Sequence, residues 1–255
     1  MTATPAVVVG SGKGGVGKSV VSLLLAAALA ARGRRVLLLD GAQNMANLHV
    51  LLGVRSGARI EDLLGGAVSP PHMVQQVAPN LWLLPGESGN EALYAMEPVD
   101  RARVQHRLSE LYDAFDTVVV DTAAGIESVV RVASMGATRL LVVTAPEPTA
   151  LTDAYALMKI VNRQIPGLPM DIVVNRCLDA DEGRDAFVRL ATACERFLRR
   201  GVRYAGALPE DQALRLAVRE PHRLLESIPA TSAGRAMRES VLDGLDLAGG
   251  ARTPA

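Results

Sequence analysis

Lysine is almost missing from this chain. Of 27 basic residues only Lys13, Lys18 and Lys159 are lysines, and arginine fills every other basic position. Cysteine is scarce too. Cys177 and Cys194 stand outside any C-x-x-C spacing, which excludes a disulfide framework and a thiolate zinc site and fits a reducing cytoplasm. No charge of either sign is in excess, since 27 acidic residues balance the 27 basic ones. The global field that drives nonspecific nucleic-acid binding is therefore absent, though a local patch is not excluded. Aromatic residues make up 3% of the chain, and its most apolar helical stretch, Val20 to Ala31, is too short to span a bilayer. The chain enters an apolar strand almost at once, leaving no room for a signal peptide. The expectation is a cytoplasmic protein.

What is present is apolar and alternating. With 49% apolar content in 255 residues the chain can bury a full core, and a single domain over 1–246 is expected, with a Gly/Ala/Pro-rich, frayed tail over 247–255. The two clustered lysines lie in Gly10-Ser11-Gly12-Lys13-Gly14-Gly15-Val16-Gly17-Lys18-Ser19, between the apolar run Ala6 to Val9 and a Leu/Ala-rich helix candidate. This is the G-x-x-x-x-G-K-[ST] phosphate loop in its strand-to-helix setting. Glycines let successive backbone N–H groups turn inward on a polyphosphate, and the helix N-terminus adds partial positive charge. Lys18 is assigned to the β- and γ-phosphates and the Ser19 hydroxyl to Mg²⁺.

Further along, Val20 to Arg32 reads as a buried helix stopped by Gly33, and Arg35 to Asp40 as a second strand with a carboxylate at its C-terminal end, where ligands collect in open α/β sheets. Leu48 to Gly53 and Arg59 to Gly65 read as short helical pieces, Leu81 to Gly86 as a third strand and its turn, and Val99 to Phe115 as a helix with Val104, Leu108 and Leu111 on one face. Thr117 to Asp121 is a buried strand ending in a second carboxylate, in the place where P-loop enzymes hold Mg²⁺. Arg139 to Thr144 is a strand, followed by a helix to about Ile165 capped by Thr149 or Thr152. Asp171 to Arg176 is a strand whose Asn175 offers both donor and acceptor to an adenine edge. Arg184 to Arg200 reads as a helix, Tyr204 to Leu208 as the last strand, and Pro209-Glu210-Asp211-Gln212 as a loop closing over the base. The alternation implies an α/β fold with a doubly wound, mostly parallel sheet and helices on both faces.

Lys13 is not required by a general phosphate loop. Lys-Gly-Gly-Val-Gly-Lys-Ser resembles the deviant loop of the MinD/ParA family of P-loop ATPases, and the resemblance covers nearly the whole chain. Ala46-Asn47-Leu48, Val50-Leu51-Leu52-Gly53, Leu84-Pro85-Gly86, Asp121 to Ile126 and above all Pro146 to Tyr155 resemble the flagellar-number regulators of the FlhG/FleN type. The resemblance implies a homodimer with ATP in which Lys13 crosses to the partner's nucleotide, and catalytic roles for Lys13, Lys18, Asp40 and Asp121. It implies ATP/ADP and Mg²⁺ as cofactors, the metal on Ser19, Asp40 and Asp121. The nucleotide is assigned to Gly12, Lys13, Gly14, Gly15, Val16, Gly17, Lys18, Ser19 and Val20, with Asn175, Arg176, Pro209, Glu210 and Asp211 around the base. Implied partners are an FlhF-type GTPase and a flagellar transcriptional activator, with association at the inner face of the plasma membrane.

Three departures qualify this. The family's second strand ends in Asp-x-Asp, whereas this chain runs Asp40-Gly41-Ala42-Gln43-Asn44, so the water-activating aspartate is Ala42. General-base groups contribute about 10²–10⁴-fold, so hydrolysis is expected to be slow. Gln43 is the obvious substitute, although a continuing strand points it to the opposite face. His49 stands where relatives tend to carry Asp. Relatives that stimulate the FlhF-type GTPase carry an N-terminal extension, and this chain starts at the strand. Finally, Ser232 to Leu247 has Met237, Val241, Leu242 and Leu245 but also Asp243 and Asp246 and no aromatic anchor, so weak or no membrane affinity is expected. The leading reading is a slow ATP-dimerising regulator. A nucleotide-gated scaffold without turnover is the second reading. A DNA-partitioning ATPase is the third, for which Arg196, Arg199, Arg200 and Arg203 form the best basic cluster.

Overall fold

The central strands are runs of Val and Leu buried on both sides, the pattern of a parallel sheet covered by helices on each face. The computed structural model describes residues 4–42, 47–54, 70–86, 98–245 and 247. Arg59 to Gly65 and Gln43 lie outside the described residues. The strands are β1 (Ala6–Gly10), β2 (Val36–Gly41), β3 (Gln75–Ala78), β4 (Leu81–Leu84), β5 (Thr117–Thr122), β6 (Arg139–Thr144), β7 (Met170–Cys177) and β8 (Arg203–Pro209). They form one sheet in the order β3-β4-β2-β5-β1-β6-β7-β8. All pairings are parallel except β3 with β4.

Alternate residues feed two cores. Val7, Val9, Leu38, Val119 and Leu141 pack with α1 (Lys18–Ala31), with Leu48 of α2 (Leu48–Leu51) and with the C-terminal helical run. Val8, Leu37, Val118, Val120 and Leu140 face the other side, with Leu108 and Leu111 of α3 (Pro98–Tyr112), Val129 of α4 (Ile126–Ala133), Leu157 of α5 (Pro148–Gln164) and Leu190 of α6 (Ala180–Ala193). The doubly wound sheet is thus as expected. Because β5 lies between β1 and β2, the chain leaves β1 to one side and later adds β6 on the other. This is the switch point at which open sheets bind ligands.

Four expectations are corrected. β3 is an antiparallel edge strand that received no element, because Gln75 and Gln76 are exposed and polar. Helix α6 starts at Ala180, four residues before Arg184. Asp179 caps it by accepting from the Glu182 N–H, and the Glu182 carboxylate accepts from the Leu178 N–H at 2.7 Å. It closes in a π turn, Cys194–Leu198, with Arg199 left-handed at φ 51°. Neither Thr149 nor Thr152 caps α5: Glu147 holds that position without a side-chain bond, and the Thr152 hydroxyl donates to the Pro148 carbonyl at 2.9 Å. Pro209 is the last residue of β8 rather than part of a loop.

The C-terminal run, Ser232–Ala236, Met237–Val241 and Leu242–Leu245, turns its apolar side into the protein. Met237, Val241, Leu242 and Leu245 are buried in the core shared with α1 and β8. Arg32 binds the Arg238 carbonyl at 2.7 Å and the Asp243 carboxylate at 2.8 Å, and Arg34 donates to the Leu247 carbonyl at 2.6 Å. Leu247, assigned to the frayed tail, is itself buried. Among the described residues no helix is long and apolar enough to cross a membrane.

At the opposite end of the sheet from the switch point, Asp171 is fully buried between two arginines. It accepts from Arg139 at 2.6 Å and from Arg203 at 2.7 Å, which ties the starts of β6, β7 and β8 together. Both arginines reach solvent, so removing the carboxylate strands no charge and loses only the charge-assisted hydrogen bonds. Asp171→Ala is therefore expected to lower unfolding stability by about 1–3 kcal/mol. Guanidinium unfolding of the two proteins checks this.

Candidate functional site

The loop between β1 and α1 lies at the C-terminal ends of β1, β2 and β5. Ser11 is buried, and its hydroxyl donates to the Lys13 carbonyl at 2.7 Å. Gly12 is pressed against α5, where a Cβ would sit 2.0 Å from the Asp153 carbonyl oxygen, so no other residue fits. Gly17 takes the left-handed conformation at φ 90° as the N-cap of α1. Lys18 follows as the first helical residue and is buried. Burial pushes its ammonium below the usual lysine range, against the pull of Asp121. An ammonium in this position gains by meeting phosphate.

Asp40 and Asp121 are register partners on adjacent strands, both buried. Burial raises the Asp121 carboxyl in spite of hydrogen bonds from Ser19 and Ser22 and the nearby Lys18 charge. The Ser22 hydroxyl lies 2.9 Å from Asp121 Oδ1. Asp40 accepts from the Leu48 N–H at 2.9 Å and the Ala42 N–H at 3.2 Å. Its carboxyl is pushed up to about 7 by burial, opposed by the Leu48 N–H and reinforced by the Asp121 charge. Two carboxylates and a serine hydroxyl make a hard, all-oxygen donor set suited to Mg²⁺, whose charge would relieve the crowding of the two acids. Ser19, Asp40 and Asp121 are thus brought together. Ala42 is buried beside Asp40 and offers only a methyl group. The His49 Nδ1 atom is buried without a hydrogen-bond partner.

Gly17, Val20, Asn175, Arg176, Pro209, Glu210 and Asp211 line one open cavity of about 490 Å³ next to the loop, together with Leu214, Arg215, Val218 and Arg219. The space suits a base and ribose continuing from the phosphate loop. One N–H of the Asn175 amide donates to the Val16 carbonyl at 2.8 Å and pins the loop, while the side chain still lines the cavity, where its second N–H and its oxygen are the groups suited to a base. Arg176 is left-handed at φ 61°, an uncommon conformation for a non-glycine residue. The Glu210 N–H donates to the Cys177 carbonyl at 2.8 Å. Gly14 and Gly15 are exposed, and Val16 is buried.

Asp211, which lines the cavity, also has a structural task. Its carboxylate caps α7 (Gln212–Ala217) through the Leu214 N–H at 3.0 Å and holds the start of the C-terminal run through the Ala233 N–H at 2.9 Å. Burial works to raise this carboxyl, but backbone donors led by Ala233 and Leu214 outweigh it and hold it below the ordinary value of 3.8. A depressed folded-state value stabilises above the unfolded value and is lost as pH falls through the folded one. Asp211→Ala is expected to cost about 1–2 kcal/mol at neutral pH. The gap should narrow below the ordinary carboxyl value, read from urea midpoints across pH.

Sequence reasoning missed Ser22, Arg215, Arg219 and Thr149. Ser22 carried a signal: beyond Ser19 it is the one hydroxyl in a Leu/Ala helix, one turn after Lys18. Thr149 carried none beyond its place in the Pro146 to Tyr155 run. Its hydroxyl accepts from Lys13 Nζ at 2.9 Å.

The family model described as ParA, NUBPL iron-transfer P-loop NTPase, matches residues 2–243. The antiactivator FleN of Pseudomonas aeruginosa is 35% identical over 232 residues, 91% of this chain and 83% of that protein. The flagellum site-determining protein YlxH of Helicobacter pylori is 32% identical over 89% of this chain and 76% of its own length. Among solved structures, the septum site-determining protein MinD complexed with Mg-ADP, from Pyrococcus horikoshii, superposes with a TM-score of 0.78 at 25% identity. It covers 96% of this chain and 98% of that one. Both cysteines are buried, and among the described residues no group of three or more His, Cys, Asp or Glu is placed to hold a metal ion.

Proposed function

The chain belongs to the ParA/MinD family of P-loop NTPases, and on that footing we propose that it is an ATP-binding regulator of flagellar number and placement that dimerises with ATP and hydrolyses it slowly. The flagellar part of this reading is supported by the similarity to FleN and YlxH, each across about nine-tenths of the chain. The slow hydrolysis rests on one observation. Lys18 and Ser19 lie near Asp121, Asp40 is the register partner of Asp121, and the buried side chain next to Asp40 is the methyl of Ala42.

In this reading the loop amides from Gly12 to Ser19 and the Lys18 ammonium hold the phosphates. Ser19, Asp40 and Asp121 would hold Mg²⁺, which supplies charge neutralisation at the β- and γ-oxygens when bound. Asn175 keeps the loop in shape, and Val20, Arg176, Pro209 and Glu210 form the base wall. Lys13 serves the partner subunit's nucleotide. With no acceptor at position 42 to orient or deprotonate water, the ATP-loaded dimer is long-lived.

An FlhF-type GTPase and a flagellar transcriptional activator are the proposed partners of the loaded form, and the cytoplasm is its place of action. Membrane association through Ser232 to Leu245 would first require undocking Met237, Val241, Leu242 and Leu245 from the core. The DNA-partitioning reading is weakened because Arg200 is committed to the Leu168 carbonyl and Arg203 to Asp171, leaving half of the arginine cluster for phosphate. Flagella per cell test the proposal. Lys18→Ala at the chromosomal locus should reproduce the count of a deletion strain, and an unchanged count would remove the flagellar assignment.

A further inference from the structure

The buried side of α1 is Leu, Val and Ala except at Lys18 and Ser22. Ser22 has no exposure to solvent, and burying a hydroxyl without a partner is costly. A serine inside a helix can settle this by bonding the carbonyl one turn back. Ser22 has that carbonyl in reach, Lys18 O at 3.0 Å, and needs nothing more for itself. Its hydroxyl nevertheless also lies 2.9 Å from Oδ1 of Asp121, 99 positions away on β5.

A hydroxyl has one proton to donate. Of the two acceptors the carboxylate is the stronger, because hydrogen bonds to ionised groups are about twice as strong as neutral ones. Asp121 is the side that needs the bond. It is buried, and when ionised it only accepts, its other partners being the Ser19 hydroxyl, the Thr122 N–H and the Lys18 charge. Lys18 and Ser19 are both assigned to the nucleotide and its metal. Ser22 is therefore the one side-chain donor to Asp121 with no ligand of its own to serve. The Cβ–Cγ torsion of an aspartate is broad and soft, so a bond to Oδ1 from a packed helix sets the plane of the carboxylate.

We propose that Ser22 is a positioning residue for the metal site: it holds Asp121 Oδ1 against α1, so that the carboxylate is presented to Mg²⁺ in one fixed orientation. This rests on the reading of Ser19, Asp40 and Asp121 as the Mg²⁺ site. Ser22 acts through Asp121 alone. Groups that orient a metal-holding side chain contribute about 10–100-fold to metal affinity. The effect of losing Ser22 is thus confined to the metal, and the grip of the loop on the phosphates stays as it is.

Equilibrium titration of the full chain with ADP, once in EDTA and once in saturating Mg²⁺, separates the two contributions. In wild type Mg²⁺ should raise the affinity for ADP. In Ser22→Ala that gain should be smaller by about tenfold or more, while the affinity in EDTA equals that of wild type. Alanine is the best helix former, so the variant keeps α1. Ser22→Thr retains the hydroxyl and should restore the gain. In an Asp121→Asn background Ser22→Ala should change nothing further, because the group it positions is already altered. A full Mg²⁺ gain in Ser22→Ala overturns the proposal. Equal losses with and without Mg²⁺ overturn it as well, since they assign Ser22 to the shape of the loop. A wild type that binds ADP but gains nothing from Mg²⁺ places the failure in the reading of the metal site, and the positioning role falls with it.

Discussion

Ala42→Asp raises steady-state ATP turnover by about 10²–10⁴-fold, the usual contribution of a group that accepts a proton from the attacking water. The position is buried at the end of β2, and its N–H already faces the Asp40 carboxylate, which the proposal assigns to Mg²⁺. The change adds only the missing acceptor. Nucleotide affinity should change little, because the loop amides and Lys18 are untouched. The expected signature is a rise in kcat with KM nearly constant. If wild type and variant turn over equally, another group activates water and the slow-clock reading fails. If neither turns over while both bind ATP, the chain is a nucleotide-gated scaffold.

Lys18→Ala produces the second large effect. Hydrogen bonds to charged groups are worth about 1.5–3 kcal/mol, so ATP affinity is expected to fall by about 10–100-fold, measured by equilibrium titration. The fold should survive, because the ammonium is held at a cost: burial pushes its pKa down and only Asp121 opposes this. A thermal midpoint equal to or above that of wild type, together with lost binding, separates a phosphate-binding role from a structural one. A stable variant with wild-type affinity would show that the loop amides alone hold the nucleotide.

The most legible features were those in which local chemistry and tertiary role coincide. The glycine spacing of the loop, the apolar strand before it and the helix after it specify a phosphate cradle in any context, and β1 and α1 form it. Asp40 and Asp121 could be placed because each ends a run of buried Val or Leu, and adjacent strands in register brought them together. The features that were missed depend on partners distant in sequence. β3 has no apolar run of its own and exists by pairing with β4. The start of α6 is set by the polar box Asp179 to Glu182 rather than by an apolar stripe. The Thr149 hydroxyl takes a lysine 136 positions away instead of capping its helix, and the Asp211 carboxylate caps two segments, one of them 22 positions away. The apolar spacing of the C-terminal run was visible, but only the structure shows that α1 and β8 occupy that side.

The central claim is a homodimer that forms with ATP and persists because water is not activated. Sedimentation of the full chain with Mg²⁺ and ATP, followed over time beside an ADP control and the Lys13→Ala variant, tests it most directly. The account predicts a dimer with ATP that decays slowly, and monomers with ADP and in Lys13→Ala. A monomer under all three conditions, or a dimer indifferent to nucleotide and to Lys13, would contradict it.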